Sequence, residues 1–340
     1  MPEIKQAQAQ DWIDKINSND NIALITDHDP DGFTSGTLFF DYCITKGAKV
    51  TQFTFKRSYS DIEDFKLEEF NKIITTDLNA KLTEPILKKY QDKDIFFMDH
   101  HPKDATLPDS VYEYRTMYRG YIPSARSAYE LTKGKEWLAL VGVVMDVGYL
   151  YPENDEFIKT ALDNAQMSLK EFKQRVAFPI GNAILYLNEE PQKAFSMVQN
   201  LPDQNNMSSI EKYSKPIMEE ANKIIGDFEK NAEDLGGVLF YYFEPKLSVK
   251  GIVTSISLEE ENFKKIFIFA SSRDEKKITF SARSQSGKIN MADLLNAGIK
   301  DLLESAAGGH YNASGGKIRK QDLEQFKENI REFLKENPLE

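Results

Sequence analysis

Three short apolar runs in the first hundred residues each end in acidic residues. Ile22-Ala23-Leu24-Ile25 runs into Asp27-His28-Asp29-Pro30-Asp31-Gly32, Lys72-Ile73-Ile74-Thr75-Thr76 into Asp77, and Ile95-Phe96-Phe97-Met98 into Asp99-His100-His101. Continuous apolar runs of this length read as strands buried on both faces, the mark of a parallel sheet. Lys49 to Phe55 reads as a fourth strand. Between the strands the period changes to that of helices. Trp12, Ile13 and Ile16 share a face in Gln8–Asn17, and Leu38, Phe39, Tyr42 and Cys43 fall within a helix from Thr34 to Lys46 that stops at Gly47. Ser124–Lys133 and Trp137–Met145 read as two more helices, the second ending at Asp146-Val147-Gly148. Strand, acidic loop and helix in alternation predict an α/β, doubly wound, mainly parallel sheet, in which ligands bind at the carboxyl ends of the strands.

From Asn154 to Asp234 the pattern is helical, with a polar loop at Pro202–Asn206. Ser208 and Glu211 have the spacing of a capping box, ahead of an apolar stripe of Ile210, Tyr213, Ile217, Ala221, Ile224 and Phe228. Beyond Gly236-Gly237 the segments Val238–Phe243, Gly251–Ser257, Lys265–Ala270 and Lys277–Ser284 read as strands. Helices are expected at Met291–Ala297 and Gln321–Glu336. The expected organisation is a catalytic domain at 1–153, a helical connector at 154–235 and a smaller α/β domain with a mixed sheet at 236–340.

Composition narrows the class. The 340 residues, 41% hydrophobic and 29% charged, are those of a globular protein of more than one domain. No apolar run is long enough to span a bilayer, and Met1-Pro2-Glu3-Ile4-Lys5 carries no apolar signal region. The lone Cys43 reads as a small buried hydrophobe, and the lack of a second cysteine points to a reducing cytoplasm. A net charge of −11 argues against nucleic-acid binding over the whole surface, but not in a local groove.

The candidate chemistry lies in the polar ends of the apolar runs. The chain has four histidines, His28, His100, His101 and His310, and each stands beside an acidic or glycine cluster. Asp29, Asp31, Asp77, His100, His101 and Asp146 all fall at element ends, where side chains from separate elements can converge. Taken singly, Asp77 could cap a helix and Asp31-Gly32 could be a plain turn. Together, carboxylates and imidazoles in this placement suit a binuclear metal site. In Ala306-Ala307-Gly308-Gly309-His310-Tyr311-Asn312-Ala313-Ser314-Gly315-Gly316, glycine pairs on both sides of a histidine would let backbone N–H groups approach an anion.

These motifs, in this order, resemble those of the DHH phosphoesterases, in the branch that carries a DHH-associated C-terminal domain with a glycine-glycine-His motif, home of the RecJ-like exonucleases and nanoRNases. The motifs fall at Asp27–Gly32, Asp77, Asp99-His100-His101, Asp146 and Gly308–Gly316, so the resemblance covers nearly the whole chain. It implies two Mn²⁺ or Mg²⁺ ions, one held by Asp29 and Asp77, the other by Asp31, Asp77, His100 and Asp146. It implies catalytic roles for Asp77, His101 and Asp99, with His101 facing a phosphate and Asp99 supporting the histidine pair. Arg283, Gly308, Gly309 and His310 would grip a phosphate or a strand end. Many relatives carry a histidine where this chain has Ile25, so Asp27 or His28 is expected to substitute at the first ion.

The implied activity is hydrolysis of single-stranded DNA or RNA, or of short oligonucleotides. The alternatives are a phosphodiesterase or phosphatase for small molecules (a cyclic dinucleotide, a dinucleotide, adenosine bisphosphate) and a non-catalytic scaffold with replication or repair partners. No membrane partner is expected, and the sequence leaves the oligomeric state open.

Overall fold

The computed structural model describes residues 5–55, 65–258 and 260–339, so Met1–Ile4 of the signal-region reading lie outside the described residues. The chain divides into two compact units, Met1–Lys215 and Pro216–Glu340.

The first unit opens with α1 (Gln6–Asp14), β1 (Asn21–Asp27), α2 (Pro30–Thr45), β2 (Lys49–Phe55) and β3 (Lys72–Thr76). It continues through α3 (Ala80–Lys89), β4 (Asp94–Asp99), β5 (Val111–Arg115), α4 (Ser124–Thr132) and α5 (Glu136–Met145). The five strands form one sheet in the order β2-β1-β3-β4-β5, with every neighbouring pair parallel. The apolar runs are unbroken because each strand is covered on both sides. Ile22 and Leu24 of β1, and Phe96 and Met98 of β4, enter one core cluster. Their neighbours Ala23, Ile25, Ile95 and Phe97 enter a second. The chain leaves β1 toward β2 on one side and returns to β3 on the other. The crevice between β1 and β3 is therefore a topological switch point, the usual ligand position in such sheets. Strand β5 escaped the sequence reading because Val-Tyr-Glu-Tyr-Arg alternates polar with apolar, yet Arg115 is fully buried.

Helices α6 (Asp155–Ala165), α7 (Leu169–Phe172), α8 (Phe178–Tyr186) and α9 (Pro191–Gln199) follow. Their buried Ile158, Phe172, Ile180 and Phe195 belong to the same cluster as Phe33 and Phe39 of α2. Helix α10 (Glu211–Gly226) crosses the boundary between the units. The expected capping box does not form: Ser208 Oγ donates to Asn206 Oδ1 at 2.8 Å, and the helix begins at Glu211.

The second unit runs α11 (Phe228–Asn231), β6 (Glu233–Asp234), β7 (Leu239–Phe243), α12 (Lys250–Thr254), β8 (Ile266–Ser271) and β9 (Lys277–Ser284). It ends with α13 (Met291–Gly298), β10 (Ala306–Gly309), β11 (Ala313–Arg319) and α14 (Leu323–Glu336). Its sheet has the order β10-β11-β9-β8-β7-β6 and is mixed, β7 and β8 being parallel and the other pairs antiparallel. Ile278, Phe280 and Ala282 of β9 face the core, where the Phe280 ring stacks on Phe326 of α14 at 4.2 Å.

One strand expectation is corrected here. Gly251–Ser257 is not a strand, because its first residues lie in α12. Parallel β7 and β8 need a crossover that leaves the sheet, and buried Val249, Val253 and Ile256 recur at helical spacing. The glycine-rich stretch is a hairpin, with Gly308 opposite Gly315 and Gly309 opposite Ser314.

Candidate metal centre

β1 ends at Asp27, and two residues later Asp29 caps α2, its Oδ1 accepting from the Gly32 N–H at 2.9 Å. Asp31 lies in the first turn of α2 and is 2% exposed. Its two oxygens accept from the backbone N–H groups of Ser124 and Ala125, at 2.7 and 2.9 Å. The carboxylate is thus held against the N-terminus of α4, where free N–H groups and the helix dipole favour a negative charge. Asp77, just past β3, takes φ +63°, a left-handed conformation that Asp tolerates better than most residues. Its N–H donates to Met98 O at 3.0 Å, and its Oδ1 accepts from Ser124 Oγ at 3.0 Å. Asp146 closes α5, with Oδ2 accepting from the Tyr121 hydroxyl at 2.8 Å.

His100, just beyond β4, is buried among these acids. Its Nε2 lies 3.3 Å from Asp77 Oδ1, 3.6 Å from Asp146 Oδ2 and 3.9 Å from Asp31 Oδ2. Three groups each bring one ligand atom per residue within 4.8 Å of one another: Asp31, His100 and Asp146; Asp77, His100 and His101; and Asp27, Asp29 and Asp77. His28 is in none of the three. Its Nδ1 is 3.0 Å from Asp27 Oδ1, and the ring is partly exposed. Asp99 does not join the cluster either. One of its oxygens meets His101 Nδ1 at 2.7 Å and the other accepts from Arg115 Nη1 at 3.1 Å. It is gripped by an arginine that is itself fully buried and also bonded to Glu113 and to His101 O.

The electrostatics follow from burial. Asp29, Asp31 and Asp77 have pKa values raised by loss of solvent and by their neighbours' charges, Asp77 the most. Asp146 is pushed up to about 6 by burial and by Asp31. His101 is raised as well, chiefly by its hydrogen bond to Asp99. Several carboxylates share this space with a single buried imidazole, and a divalent cation is the group that balances them. Oxygen donors with one imidazole nitrogen are the chemistry of Mn²⁺ and Mg²⁺. His100 turns Nε2, the nitrogen a cation among these acids would take, toward Asp31, Asp77 and Asp146. The donor set fits.

Some contributors were invisible in the sequence. Ser124 and Tyr121 read as ordinary polar residues ahead of a helix, and nothing in their spacing pairs them with Asp77 or Asp146. Tyr121 also lies edge-on to His100 at 5.3 Å and stacks on Tyr151 at 4.2 Å. Gly142 of α5 is a second such case: a Cβ there would fall 2.6 Å from Asp31 Oδ1.

The remaining sequence candidates are in the second unit. Arg283, on β9, is partly buried and donates to Ala282 O at 2.8 Å and to Ser314 O at 3.3 Å. His310 is exposed at the tip of the β10–β11 hairpin. Its backbone N–H donates to Ala313 O at 2.9 Å. Gly308 and Gly309 are exposed in β10.

Residues 237–336 match the family model described as the DHHA1 domain. No curated protein sequence matches the chain. Among solved structures it is similar to exonuclease RecJ bound to manganese, with 19% identity, a TM-score of 0.73 and coverage of 100% of this chain and 96% of that one. It is similar to RecJ in complex with Mn²⁺ from Thermus thermophilus, with 18% identity and a TM-score of 0.71, covering 99% of this chain but 56% of that longer one. It also shares a fold with the pGpG-specific phosphodiesterase PggH from Vibrio cholerae, at 13% identity and a TM-score of 0.51, covering 93% and 100% of the two chains. The chain thus carries a match to the DHHA1 domain over residues 237–336 and shares the fold of RecJ along its length.

Proposed function

We propose that the chain is a metal-dependent phosphodiesterase acting on single-stranded or short nucleic acid. The observation that carries this reading is the convergence of Asp29, Asp31, Asp77, His100 and Asp146 at the carboxyl ends of parallel strands, around a cluster with an excess of buried negative charge. Asp29 and Asp77, with Asp27 beside them, would hold one divalent ion. Asp31, Asp77, His100 and Asp146 would hold the other. When bound, such ions lower the pKa of a coordinated water and offset the charge of a phosphate.

The chain's own side chains do the rest. Asp31 is fixed by the N–H groups of α4, and Asp77 by the Ser124 hydroxyl, so the ligands are oriented in advance. Asp99 holds the His101 ring through Nδ1 and raises its pKa, which favours the protonated form whose Nε2 can donate to a phosphate oxygen. Nucleic acid as the substrate is supported by the fold shared with the RecJ exonucleases and by the half-exposed Tyr151 ring stacked beside the acids, which offers a face to a base.

Asp77→Asn tests the reading, since Asn accepts the same left-handed backbone. With Mn²⁺ and end-labelled oligonucleotides, hydrolysis should fall by more than about 100-fold, beyond the ~10–100-fold typical of a residue that merely orients a ligand. Undiminished hydrolysis would falsify the role given to Asp77. A second reading, a dinucleotide phosphodiesterase, is favoured by the fold shared with PggH. Including dinucleotides among the substrates separates the two.

A further inference from the structure

The acids of the cluster are not held equally. Asp31 is fixed by two backbone N–H groups and Asp77 by the Ser124 hydroxyl, and both side chains are 2% exposed. The Asp146 side chain is 27% exposed. It also stands at the C-terminal end of α5, where free carbonyls and the helix dipole disfavour a carboxylate. Such a group needs a donor from elsewhere. Among the described residues one hydrogen bond reaches this carboxylate: the Tyr121 hydroxyl donates to Oδ2 at 2.8 Å, and it lies 3.2 Å from Asp146 O as well. The next residue, Val147, takes φ +52°, a left-handed conformation that a β-branched side chain adopts only under constraint.

The constraint is a latch between two loops. Asn154 is fully buried, and its Nδ2 donates to Gly148 O at 2.9 Å, one residue past Val147, and to Tyr121 O at 2.8 Å. Its Oδ1 accepts from Arg126 Nη1 at 2.9 Å. Beside it, Glu153 Oε1 accepts from the Tyr121 N–H at 2.6 Å. The approach is possible because position 120 is glycine, at φ +98°, where a Cβ would fall 2.0 Å from that same oxygen. Both backbone polar groups of Tyr121 are therefore taken by consecutive side chains of the loop that follows Asp146. The ring is held too, edge-on to His100 and stacked on Tyr151.

We propose that Tyr121 is the positioning residue for Asp146, and that Glu153 and Asn154 form the latch that aims its hydroxyl. The carboxylate is thereby presented to the ion that Asp31, Asp77 and His100 would share, instead of turning to solvent. The loop between β5 and α4 is then part of the metal centre although it supplies no ligand. This rests on the metal-dependent reading above and deepens it.

The test reads Mn²⁺ binding to the full chain by calorimetry, in the wild type, Tyr121→Phe, Asp146→Asn and the double variant. Phe keeps the ring contacts to His100 and Tyr151 and removes only the hydroxyl, so the variant should fold. One of the two binding steps should weaken by ~10–100-fold in Tyr121→Phe, the range for a group that orients a ligand, and the other should hold. The losses should not add: placed on Asp146→Asn, Tyr121→Phe should change neither step further. Glu153→Ala, which frees the Tyr121 N–H, should weaken the same step by a smaller factor. The kcat of Tyr121→Phe should recover as Mn²⁺ is raised. Both steps bound as in the wild type, or both weakened alike, would overturn the assignment. Hydrolysis that stays depressed at saturating Mn²⁺ would make the hydroxyl a reacting group and overturn it as well. A wild type that takes up no Mn²⁺ sinks the metal-dependent reading itself, whereas two normal steps that Tyr121→Phe leaves alone sink only this proposal.

Discussion

Asp99 accepts from the His101 ring through one carboxylate oxygen and from Arg115 through the other. The hydrogen bond raises the pKa of His101, so the ring keeps its proton to higher pH and loses it as pH rises through the raised value. An Asn at position 99 keeps the shape and removes the charge. The descending alkaline limb of kcat/KM should therefore move to lower pH in Asp99→Asn, read from a pH profile of the free enzyme. A limb that stays in place would exclude His101 as the group that titrates. The acids of the cluster were legible residue by residue because each ends an apolar run, and a charge at such a point needs a reason. Tyr121, Ser124 and Arg115 were not. Their partners are 25, 47 and 16 positions away, and no local pattern encodes such pairs. Phe33 is packed against Phe195, whereas Tyr311 is half exposed.

Helices α2, α4 and α5 meet at the acidic cluster, and they meet closely because α5 carries a glycine there. A Cβ at Gly142 would lie 2.3 Å from Ala125 Cβ and 2.6 Å from both Asp31 Oδ1 and Thr34 Oγ1. Gly142→Ala must push α5 away or displace Asp31. Overpacking of this kind costs about 1–3 kcal/mol. The expectation is a lower melting temperature without metal and weaker Mn²⁺ binding by calorimetry. Gly226→Ala, where a Cβ meets nothing within 4 Å, serves as the control and should change neither. Equal behaviour of the two variants would show that the close approach of α5 is dispensable. At this scale the buried parallel strands were readable because they are apolar on both faces. The α12 segment was not, since Ile252-Val253-Thr254 is β-branched and only the crossover between β7 and β8 forces it to be helical. The paired glycines of β10 and β11 gave no sign that they face each other in a ladder.

The stability of the whole protein should be tied to metal and pH together. Asp29, Asp31, Asp77 and Asp146 have folded-state pKa values above their unfolded ones, so the folded chain holds extra protons over that window. The sign is therefore unfavourable to the metal-free fold as pH rises: stability is lost from about pH 4, the unfolded carboxylate value, upward through about 6 for Asp146. A bound cation relieves the same charges. The melting temperature in a chelator should fall across this range, and Mn²⁺ should raise it more near neutral pH than at about pH 5. An equal increment at both would mean that the cluster does not take up the ion. No helix among the described residues is long and apolar enough to cross a membrane. One further feature makes the molecule convenient to observe. Cys43 is packed inside α2, 1% exposed, with its thiol pushed up to about 12 by burial. It should ignore maleimide dyes in the native state. A cysteine engineered at a surface position of either unit would then be the single reactive handle, and fluorescence from it could follow substrate arrival in an otherwise unaltered background.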